Sequence, residues 1–256
     1  MNELPKPQSE DYEMCEKCGM EKKNYVTEYN GYSIIYRCDC EFREKKREIE
    51  EQINEAKRRH IESLFAKSNL GLRFRNCTIE NFILRPGTEE SFTVAKKYIA
   101  ELSEKKKTGM GIVFFGKCGN GKTHLAAAII NEAVQKGYTA IFQPVSELMD
   151  RLNKTYSNRD ESEHDIKEGL SDADLLVLDD LGDNKKTEAI ETRIKTIIDK
   201  RYRFKLPTII TTNLDLYGLE KYVGEKTYSR ICETCVFVHN TGSDYRKEMV
   251  LKNGKH

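Results

Sequence analysis

Short apolar runs alternate with longer segments of helical spacing from about residue 71 to the end of the chain. Short apolar runs bounded by glycine, proline or aspartate are typical of buried strands. Because strands that alternate with helices form βαβ units, the pattern predicts an α/β fold whose parallel sheet has helices on both faces. We expect strands at 111–115, 139–142, 173–178, 207–212 and 235–239, and helices at 122–137, 145–152 and 188–204.

The first 70 residues have a different pattern. A tyrosine-rich run at 24–37 contains Asn30-Gly31, which predicts a β-hairpin with a two-residue turn. Residues 41–65 contain no glycine or proline and are dense in charge, so we expect a long exposed amphipathic helix that Ser68-Asn69 and Gly71 end. Its apolar stripe consists of Phe42, Ile49, Ile53, Ala56, Leu64 and Phe65.

These patterns predict three parts: a small N-terminal domain over 1–45, a helical linker over 46–70 and a larger domain over 71–256.

Apolar residues make up 38% of the chain and charged residues 33%, with a formal net charge of +1. The net charge therefore gives no argument for a polyanionic partner, and any DNA contact needs a local basic patch. No apolar run approaches the ~20 residues of a membrane span, and the first residues lack the pattern of a signal peptide. We expect a cytoplasmic protein without a membrane partner, in which the eight cysteines are reduced.

Residues 116–123 read GKCGNGKT and match the phosphate-loop pattern G-x-x-x-x-G-K-[ST] between a predicted strand and a predicted helix. The glycines let backbone N–H groups face an anion, and the helix N-terminus adds its dipole. Lys122 is expected to reach the β- and γ-phosphates of ATP, and Thr123 to coordinate Mg²⁺. The residues expected to contact the nucleotide are Gly116, Lys117, Cys118, Gly119, Asn120, Gly121, Lys122, Thr123 and His124.

Two further strands end in polar residues that suit the same chemistry. The run LLVLDD at 175–180 places Asp179 and Asp180 at a strand end, where open α/β sheets bind ligands. Asp179 is expected to hold Mg²⁺, and Asp180 to polarise the attacking water. Asn213 follows the strand in TIITTNLDL (208–216) and is a candidate for holding that water or sensing the γ-phosphate. Taken alone, an asparagine after a strand is more often a turn residue.

In this order the motifs of 71–256 closely resemble the AAA+ ATPase domain of bacterial replicative-helicase loaders, the DnaC/DnaI-like group. They are also similar to transposition helper ATPases of the IstB type. The resemblance implies a P-loop AAA+ domain with a parallel sheet sandwiched by helices. The matching stretches are GLRFRNCTIENF (71–82), GKCGNGKTHLAAAI (116–129), VSELMDRL (145–152), DLLVLDDLG (174–182), KRYRFKLPTIITTNL (200–214) and TYSRICE (227–233).

The resemblance assigns roles to several of these residues. Gly119, Lys122 and Thr123 match the Walker A motif, Asp179 and Asp180 match Walker B, and Asn213 matches sensor 1. By the same likeness, Arg230 is the arginine finger that acts on the ATP of a neighbouring subunit, and Arg246 is sensor 2. Without the resemblance, either arginine is more simply interpreted as part of a surface salt bridge. Most AAA+ proteins have Asp-Glu where this chain has Asp-Asp, and the shorter Asp180 side chain favours slow hydrolysis.

Four of the eight cysteines lie in the first 40 residues as Cys15-x-x-Cys18 and Cys38-x-Cys40. Two close pairs separated by a hairpin suit tetrahedral Zn²⁺, and metal would stabilise a domain with few apolar residues. The helicase-loader group also has N-terminal zinc-binding heads, which dock onto the helicase. The other cysteines and His124 are more simply interpreted as structural residues than as metal ligands or catalytic groups. We expect Cys77 in the core, Cys118 as a small filler, His124 in packing, and Cys232-x-x-Cys235 as part of a helix end and the last strand.

The leading hypothesis is a loader that binds Mg-ATP at subunit interfaces, self-associates, holds single-stranded DNA and docks onto a replicative DNA helicase. Candidate DNA contacts are Arg151, Lys154 and Arg159, although such charges usually form a solvated face. One alternative is an IstB-like transposition helper that binds duplex DNA, against which the cysteine-rich head argues. A second is a zinc adaptor that binds ATP without hydrolysing it. A metabolic kinase fits less well, because no acceptor-substrate motif is evident.

Overall fold

A computed structural model of the chain describes residues 13–65, 71–155 and 162–253. The chain divides into two compact units, residues 1–59 and 60–256. Within the described ranges, none of the helices combines the length and the apolar character that crossing a membrane requires. The domain boundaries at 45 and 70 stay predictions.

The first unit contains the predicted hairpin. Strands β1 (Tyr25–Tyr29) and β2 (Tyr32–Tyr36) are antiparallel, and Tyr29 pairs with Tyr32 across the turn. Asn30 and Gly31 have φ of 50° and 79°, the left-handed values that a type I′ turn requires. The Asn-Gly signal therefore predicted both the hairpin and its register.

The helix predicted at 41–65 is confirmed as α1, which spans Asp39–Phe65. Phe42, Ile49 and Ile53 of the predicted stripe are half-buried, whereas Ala56 is exposed. The side chains of the last two stripe residues and the predicted helix end at 66–70 lie outside the described residues. Pairs of opposite charge one turn apart, such as Glu41 with Lys45 at 2.8 Å, line the exposed faces.

The second unit alternates helices and strands along the chain. Its helices in the first half are α2 (Gly71–Phe74), α3 (Glu89–Ala100), α4 (Leu102–Thr108), α5 (Lys122–Gln135) and α6 (Val145–Lys154). Its helices in the second half are α7 (Glu163–Asp172), α8 (Glu188–Arg203), α9 (Leu216–Val223), α10 (Glu225–Thr234) and α11 (Tyr245–Asn253). Its strands are β3 (Gly111–Phe115), β4 (Ala140–Pro144), β5 (Leu175–Asp179), β6 (Thr208–Thr212) and β7 (Cys235–His239).

The five strands form one parallel sheet in the order β4-β5-β6-β3-β7, which confirms the predicted fold class. Strand β6 lies between β3 and β5, although it follows both of them in the sequence. The carboxyl ends of these three strands therefore meet at one edge of the sheet. The phosphate loop, the Asp179-Asp180 pair and Asn213 all follow those ends.

Both faces of the sheet are buried, as β5 illustrates. Leu175 and Val177 contact the apolar cluster that includes α3, α4 and α5, whereas Leu176 and Leu178 contact the cluster that includes α6 to α10. Successive side chains of a strand point to opposite faces, so an uninterrupted apolar run supplies both layers. This packing explains why β5 reads as a continuous hydrophobic segment.

Seven of the described helices were not predicted from the periodicity, namely α2, α3, α4, α7, α9, α10 and α11. All seven are twelve residues or shorter. Helices of this length are marginal in isolation, so tertiary packing decides whether they form. Two of them begin at a side-chain cap, where Ser162 accepts from the Asp165 N–H at 3.0 Å and Asp215 accepts from the Gly218 N–H at 2.7 Å.

Arg201 joins the end of α8 to the neighbouring elements from inside the core, where it is only 1% exposed. Its guanidinium donates to the carbonyl oxygens of Leu170 at 2.9 Å, Ala173 at 2.8 Å and Pro207 at 2.6 Å, and to Thr208 Oγ1 at 2.9 Å. Burial lowers the pKa of Arg201 to about 9, which leaves it charged at neutral pH. The side chain thus provides hydrogen-bond donors for three carbonyl groups that lie in the last turn of α7 or outside the regular helices and strands.

Replacing Arg201 with methionine is expected to lower the free energy of unfolding by about 3 kcal/mol or more, because it leaves buried acceptors without donors. The measurement is urea unfolding of the full chain followed by circular dichroism. Arg203→Met is the matched control, since Arg203 is exposed on the same helix and its loss should change stability by less than ~0.5 kcal/mol. Equal losses in the two variants would contradict this role for Arg201.

Candidate functional site

The phosphate loop turns from β3 into α5 through glycines in the left-handed region. Gly116 and Gly121 have φ of 137° and 103°. A Cβ on Gly121 would lie 2.7 Å from the Phe82 ring, so both the conformation and the space require glycine there. The loop thereby turns its backbone N–H groups inward ahead of the α5 N-terminus, the arrangement that binds phosphate.

Lys122 lies within this loop and is 4% exposed. Its Nζ donates to the Gly116 carbonyl at 2.9 Å, the Lys117 carbonyl at 2.8 Å and Asn213 Oδ1 at 3.0 Å. Burial lowers the pKa of Lys122, while the nearby Asp180 carboxylate acts in the opposite direction. The ammonium group is therefore held at the mouth of the loop, where an anion would be attracted.

Asp179 ends β5 and is buried beside two hydroxyl groups. Thr211 on β6 donates to Asp179 Oδ1 at 2.6 Å, and Thr123 also hydrogen-bonds this carboxylate. Burial, reinforced by the Asp180 charge, raises the pKa of Asp179 to about 6. A carboxylate beside a threonine hydroxyl at the phosphate loop is a donor set that suits Mg²⁺.

Asp180 adopts a left-handed conformation with φ of 54°, which is uncommon for a residue other than glycine. Its N–H donates to Thr211 Oγ1 at 2.9 Å, so one hydroxyl group contacts both aspartates. Burial raises the pKa of Asp180, and the Asp183 charge adds to this effect. Backbone strain of this kind is typical of functional sites, where surrounding contacts hold it in place.

Asn213 follows β6 and lies between Lys122 and the loop after β5. Its Nδ2 donates to Asp183 Oδ1 at 2.9 Å, while its Oδ1 accepts from Lys122. The three strand ends thus bring together the lysine, the aspartates and the asparagine that the sequence placed about 30 to 90 residues apart.

A cavity of about 370 Å³ opens above these groups, within the size range of small-molecule sites. One end is polar and the other end is lined by apolar and aromatic side chains from the segment before α3. Its lining residues are Arg73, Phe74, Cys77, Asn81, Phe82, Ile83, Arg85, Cys118, Gly119, Asn120, Gly121, Lys122, Thr123, His124, Asp180, Asp183, Asn213, Tyr245 and Arg246. The combination suits a ligand with a phosphate chain and an aromatic base.

The two predicted arginines lie in different places. Arg246, at the start of α11, lines the cavity, and its charge partly opposes the burial that raises the pKa of Asp180. Arg230 on α10 is absent from the cavity lining and forms an ion pair with Asp199 of α8. Its guanidinium lies 5.6 Å from the centre of the Tyr202 ring. The ion pair is the simpler alternative that the sequence analysis gave for this residue, and the role of Arg230 at a neighbouring subunit stays a prediction.

Arg85 is a cavity residue that the sequence analysis missed. Its side chain is 11% exposed and donates to the carbonyls of Ser243 at 2.9 Å and Asn120 at 3.4 Å. Its guanidinium also lies 5.0 Å from the centre of the Tyr245 ring. Arg85 therefore links the phosphate loop to the segment that leads into α11. No motif marks it, because its partners are 35 and 158 residues away.

The other residues of the phosphate loop differ in their exposure and contacts. Lys117 and Cys118 are exposed, and the expectation that Cys118 is a small filler is wrong because its thiol faces solvent. Asn120 is buried, and its Nδ2 donates to the Asn240 carbonyl at 2.6 Å. His124 packs edge-on against Phe82, with its Nε2 3.0 Å from the Thr78 carbonyl oxygen. The structure thus gives His124 the packing position that its pattern predicted.

The four N-terminal cysteines converge in the first unit, where all their Sγ atoms lie within 4.8 Å of one another. Tetrahedral zinc with Zn–S bonds of about 2.3 Å requires sulfurs about 3.8 Å apart, so the set fits this metal. Cys38 and Cys40 flank the first residue of α1, and the other pair lies in a tight turn closed by the Gly19 N–H to the Cys15 carbonyl at 2.8 Å. Backbone N–H groups of Cys18 and Lys17 lower the pKa of Cys15 to about 6, which favours the thiolate.

Of the cysteines in the second unit, Cys77 and Cys118 line the cavity, whereas Cys232 and Cys235 do not. Cys77 is buried, as expected, and Cys232 is exposed while Cys235 is buried at the start of β7. Among the candidate DNA contacts, Arg151 is half-buried and Lys154 exposed on α6, and Arg159 lies outside the described residues. Among the described residues, the N-terminal cluster is the place where three or more cysteine, histidine or carboxylate side chains come close enough together to share one metal ion.

The sequence was compared with known families and proteins. Residues 76–252 match the model of the IstB-like ATP binding protein family. The replicative helicase loader DnaC of Escherichia coli strain K12 is 30% identical over 172 residues, which cover 67% of this chain and 69% of that protein. DnaC of Buchnera aphidicola subsp. Schizaphis graminum is 29% identical over 181 residues, covering 70% and 72%.

Solved structures agree with this relationship. The crystal structure of the DnaC helicase loader matches with a TM-score of 0.60 at 25% identity and covers 67% of this chain and 100% of that one. The crystal structure of DnaI matches with a TM-score of 0.57 at 23% identity over 66% and 93% of the two chains, which shows a shared fold. The family model covers more than half of the chain, and the sheet carries the phosphate loop at its carboxyl edge. The chain therefore belongs to the IstB-like ATP-binding family and is a DnaC-like AAA+ protein.

Proposed function

We propose that this protein is an ATP-dependent loader that places a replicative DNA helicase onto single-stranded DNA. The observation that carries the proposal is the convergence of Lys122, Asp180 and Asn213 at one cavity, next to the buried Asp179, in a chain related to DnaC. The separate unit with four clustered cysteines supports a division between an ATP-binding body and a partner-docking head.

In this proposal the phosphate loop binds the triphosphate and Lys122 turns to its β- and γ-phosphates. Asp179 and Thr123 hold Mg²⁺, which neutralises charge on the phosphates. Asp180 accepts a proton from water, the water oxygen bonds to the γ-phosphorus, and the bond to the bridging oxygen breaks as ADP leaves with the electron pair. Arg246 lies on the same cavity and stabilises negative charge there.

In this proposal, Arg230 acts at the interface between two copies of the chain. We assign it to the γ-phosphate bound by a neighbouring copy, where it exchanges its Asp199 partner for phosphate oxygens. The short Asp180 side chain makes hydrolysis slow, so that ATP binding holds the assembly and hydrolysis releases it. Binding of the helicase and single-stranded DNA would then set the time of release. Arg151, Lys154 and Arg159 remain the proposed DNA contacts.

A second candidate follows from the family model, whose description is IstB-like. An IstB-like helper would bind duplex DNA and a transposase through the same ATPase domain. The N-terminal cysteine cluster favours the loader, since the resemblance links such heads to helicase docking. The partner that co-elutes with the full chain separates the two candidates.

Changing Lys122 to alanine is expected to weaken ATP binding more than about tenfold, because it removes the cation facing the phosphates. Asp180→Asn should bind ATP with nearly unchanged affinity and hydrolyse it about a hundredfold more slowly. Fluorescent-nucleotide titration measures the affinity for ATP, and phosphate release measures the rate of hydrolysis. Lys107→Ala, an exposed lysine on α4, is the control. Tight ATP binding with no turnover in the unchanged protein would instead support an adaptor.

If Arg230 acts across an interface, mixing two inactive variants restores activity. Lys122→Ala has an intact arginine but a defective site, and Arg230→Ala has the reverse. The mixture should release phosphate faster than the sum of the two variants measured separately, in the presence of single-stranded DNA. The control is a mixture of Arg203→Ala with Lys122→Ala, in which both variants keep an intact Arg230. No gain on mixing would overturn the assignment in trans.

Replacing both Cys15 and Cys18 with serine is expected to remove about one zinc per chain, because it removes half of the ligand set. Metal analysis of the purified full chain measures the loss, and Cys232→Ser is the control because Cys232 is an exposed cysteine outside the cluster. The same variant should no longer co-elute with the replicative helicase in sizing with mass detection, with or without ATP. Failure of the unchanged protein to bind helicase under every nucleotide condition would overturn the loader proposal.

A further inference from the structure

Two partners with fixed hydrogen-bonding roles hold the side chain of Asn213. Lys122 Nζ, 3.0 Å from Oδ1, is an ammonium group that only donates. The Asp183 carboxylate, 2.9 Å from Nδ2, only accepts. The carboxamide therefore has one orientation, with its carbonyl oxygen toward Lys122 and its NH₂ group toward Asp183. A flipped amide would place donor against donor on one side and acceptor against acceptor on the other.

Asp183 reaches Asn213 because the chain after β5 turns back toward β6. The Asp183 N–H donates to the Asp180 carbonyl at 3.3 Å, and the Leu181 N–H donates to the Thr211 carbonyl at 2.9 Å. Gly182 between them has φ of 103°, which permits the turn. Asp183 lines the nucleotide cavity together with Asp180. Its carboxylate is thus placed by backbone contacts rather than by a flexible connection.

We propose that Asp183 is a positioning residue for ATP hydrolysis, which holds the Asn213 carbonyl oxygen toward the phosphate loop. This inference rests on the proposed ATPase function. When the phosphates of ATP attract Lys122, the bond to Asp183 remains and keeps the amide from rotating. Asn213 Oδ1 then accepts a hydrogen bond from the attacking water, whose proton passes to Asp180. In the flipped orientation, the NH₂ group would face the water and offer it no acceptor.

The ordinary role for such an aspartate is a turn residue on the surface. That role explains its backbone contacts, but it requires neither a side-chain partner after β6 nor a place in the cavity wall. Two contacts distinguish the positioning role from that of a turn residue. The Asp183 carboxylate can only accept from Asn213 Nδ2, and the Lys122 ammonium group can only donate to Asn213 Oδ1.

The test uses isosteric and conservative variants of the full chain. Asp183→Asn preserves shape but adds a donor, and it should lower kcat about ten- to a hundredfold while KM for ATP changes less than about twofold. Asp183→Glu keeps an acceptor-only group and should retain most of the activity. In an Asn213→Ala background, Asp183→Asn should cause no further loss of kcat. Asp150→Asn, an exposed carboxylate on α6, is the control.

A second measurement is independent of turnover. The side-chain NH₂ resonance of Asn213, assigned by its disappearance in Asn213→Ala, should shift in Asp183→Asn and remain in place in Asp150→Asn. Turnover in the unchanged protein with wild-type kcat in Asp183→Asn would overturn the inference and leave the ATPase proposal intact. Equal losses from Asp183→Asn with and without Asn213 would also overturn it. An unchanged protein without turnover would overturn the ATPase proposal, and an unshifted amide resonance would overturn the orientation itself.

Discussion

The position of β6 between β3 and β5 is the constraint on which the nucleotide site depends. Thr211, near the end of β6, accepts from the Asp180 N–H and donates to the Asp179 carboxylate. Asn213, two residues further along the chain, accepts from Lys122, which begins α5. A strand inserted at this place joins the phosphate loop to the carboxylates of Asp179 and Asp180 through hydrogen bonds, not merely through proximity. Any change in the strand order would separate these groups, because they follow the ends of three different strands.

Charge balance is the second property of the site. One buried ammonium group lies near two adjacent aspartates, and Arg246 adds a second cation to the cavity lining. Burial raises the pKa of Asp179 and lowers that of Lys122, so both charged forms cost free energy until opposite charges arrive. A metal–triphosphate complex supplies both signs at once. The electrostatics therefore favour this class of ligand over a neutral one of the same size.

The first unit depends on a different interaction. Among its described residues, the buried apolar side chains are Cys15, Ile34 and Cys38, which is too little for a stable core by apolar burial alone. Two of these three residues belong to the cysteine cluster. A metal bound there would cross-link the knuckle turn and the start of α1, and its binding free energy would become folding free energy. Loss of that metal would then remove much of what stabilises the first unit.

The sequence by itself determined the class of the fold, the phosphate loop and the hairpin. These features depend on local rules: GKCGNGKT requires glycine backbones and a following helix, Asn30-Gly31 requires left-handed dihedral angles, and LLVLDD is apolar over the length of one strand. The sequence also determined that four cysteines form two close pairs, although not that the pairs meet.

The tertiary structure decided which distant residues share the cavity. Arg85 and Asp183 carry no motif, and their roles follow only from contacts with Asn120, Ser243 and Asn213. The short helices α3, α7, α9 and α10 form because the sheet offers them an apolar surface, which no local pattern encodes. Long-range hydrogen bonds and packing depend on strand order, and strand order is a property of the whole chain.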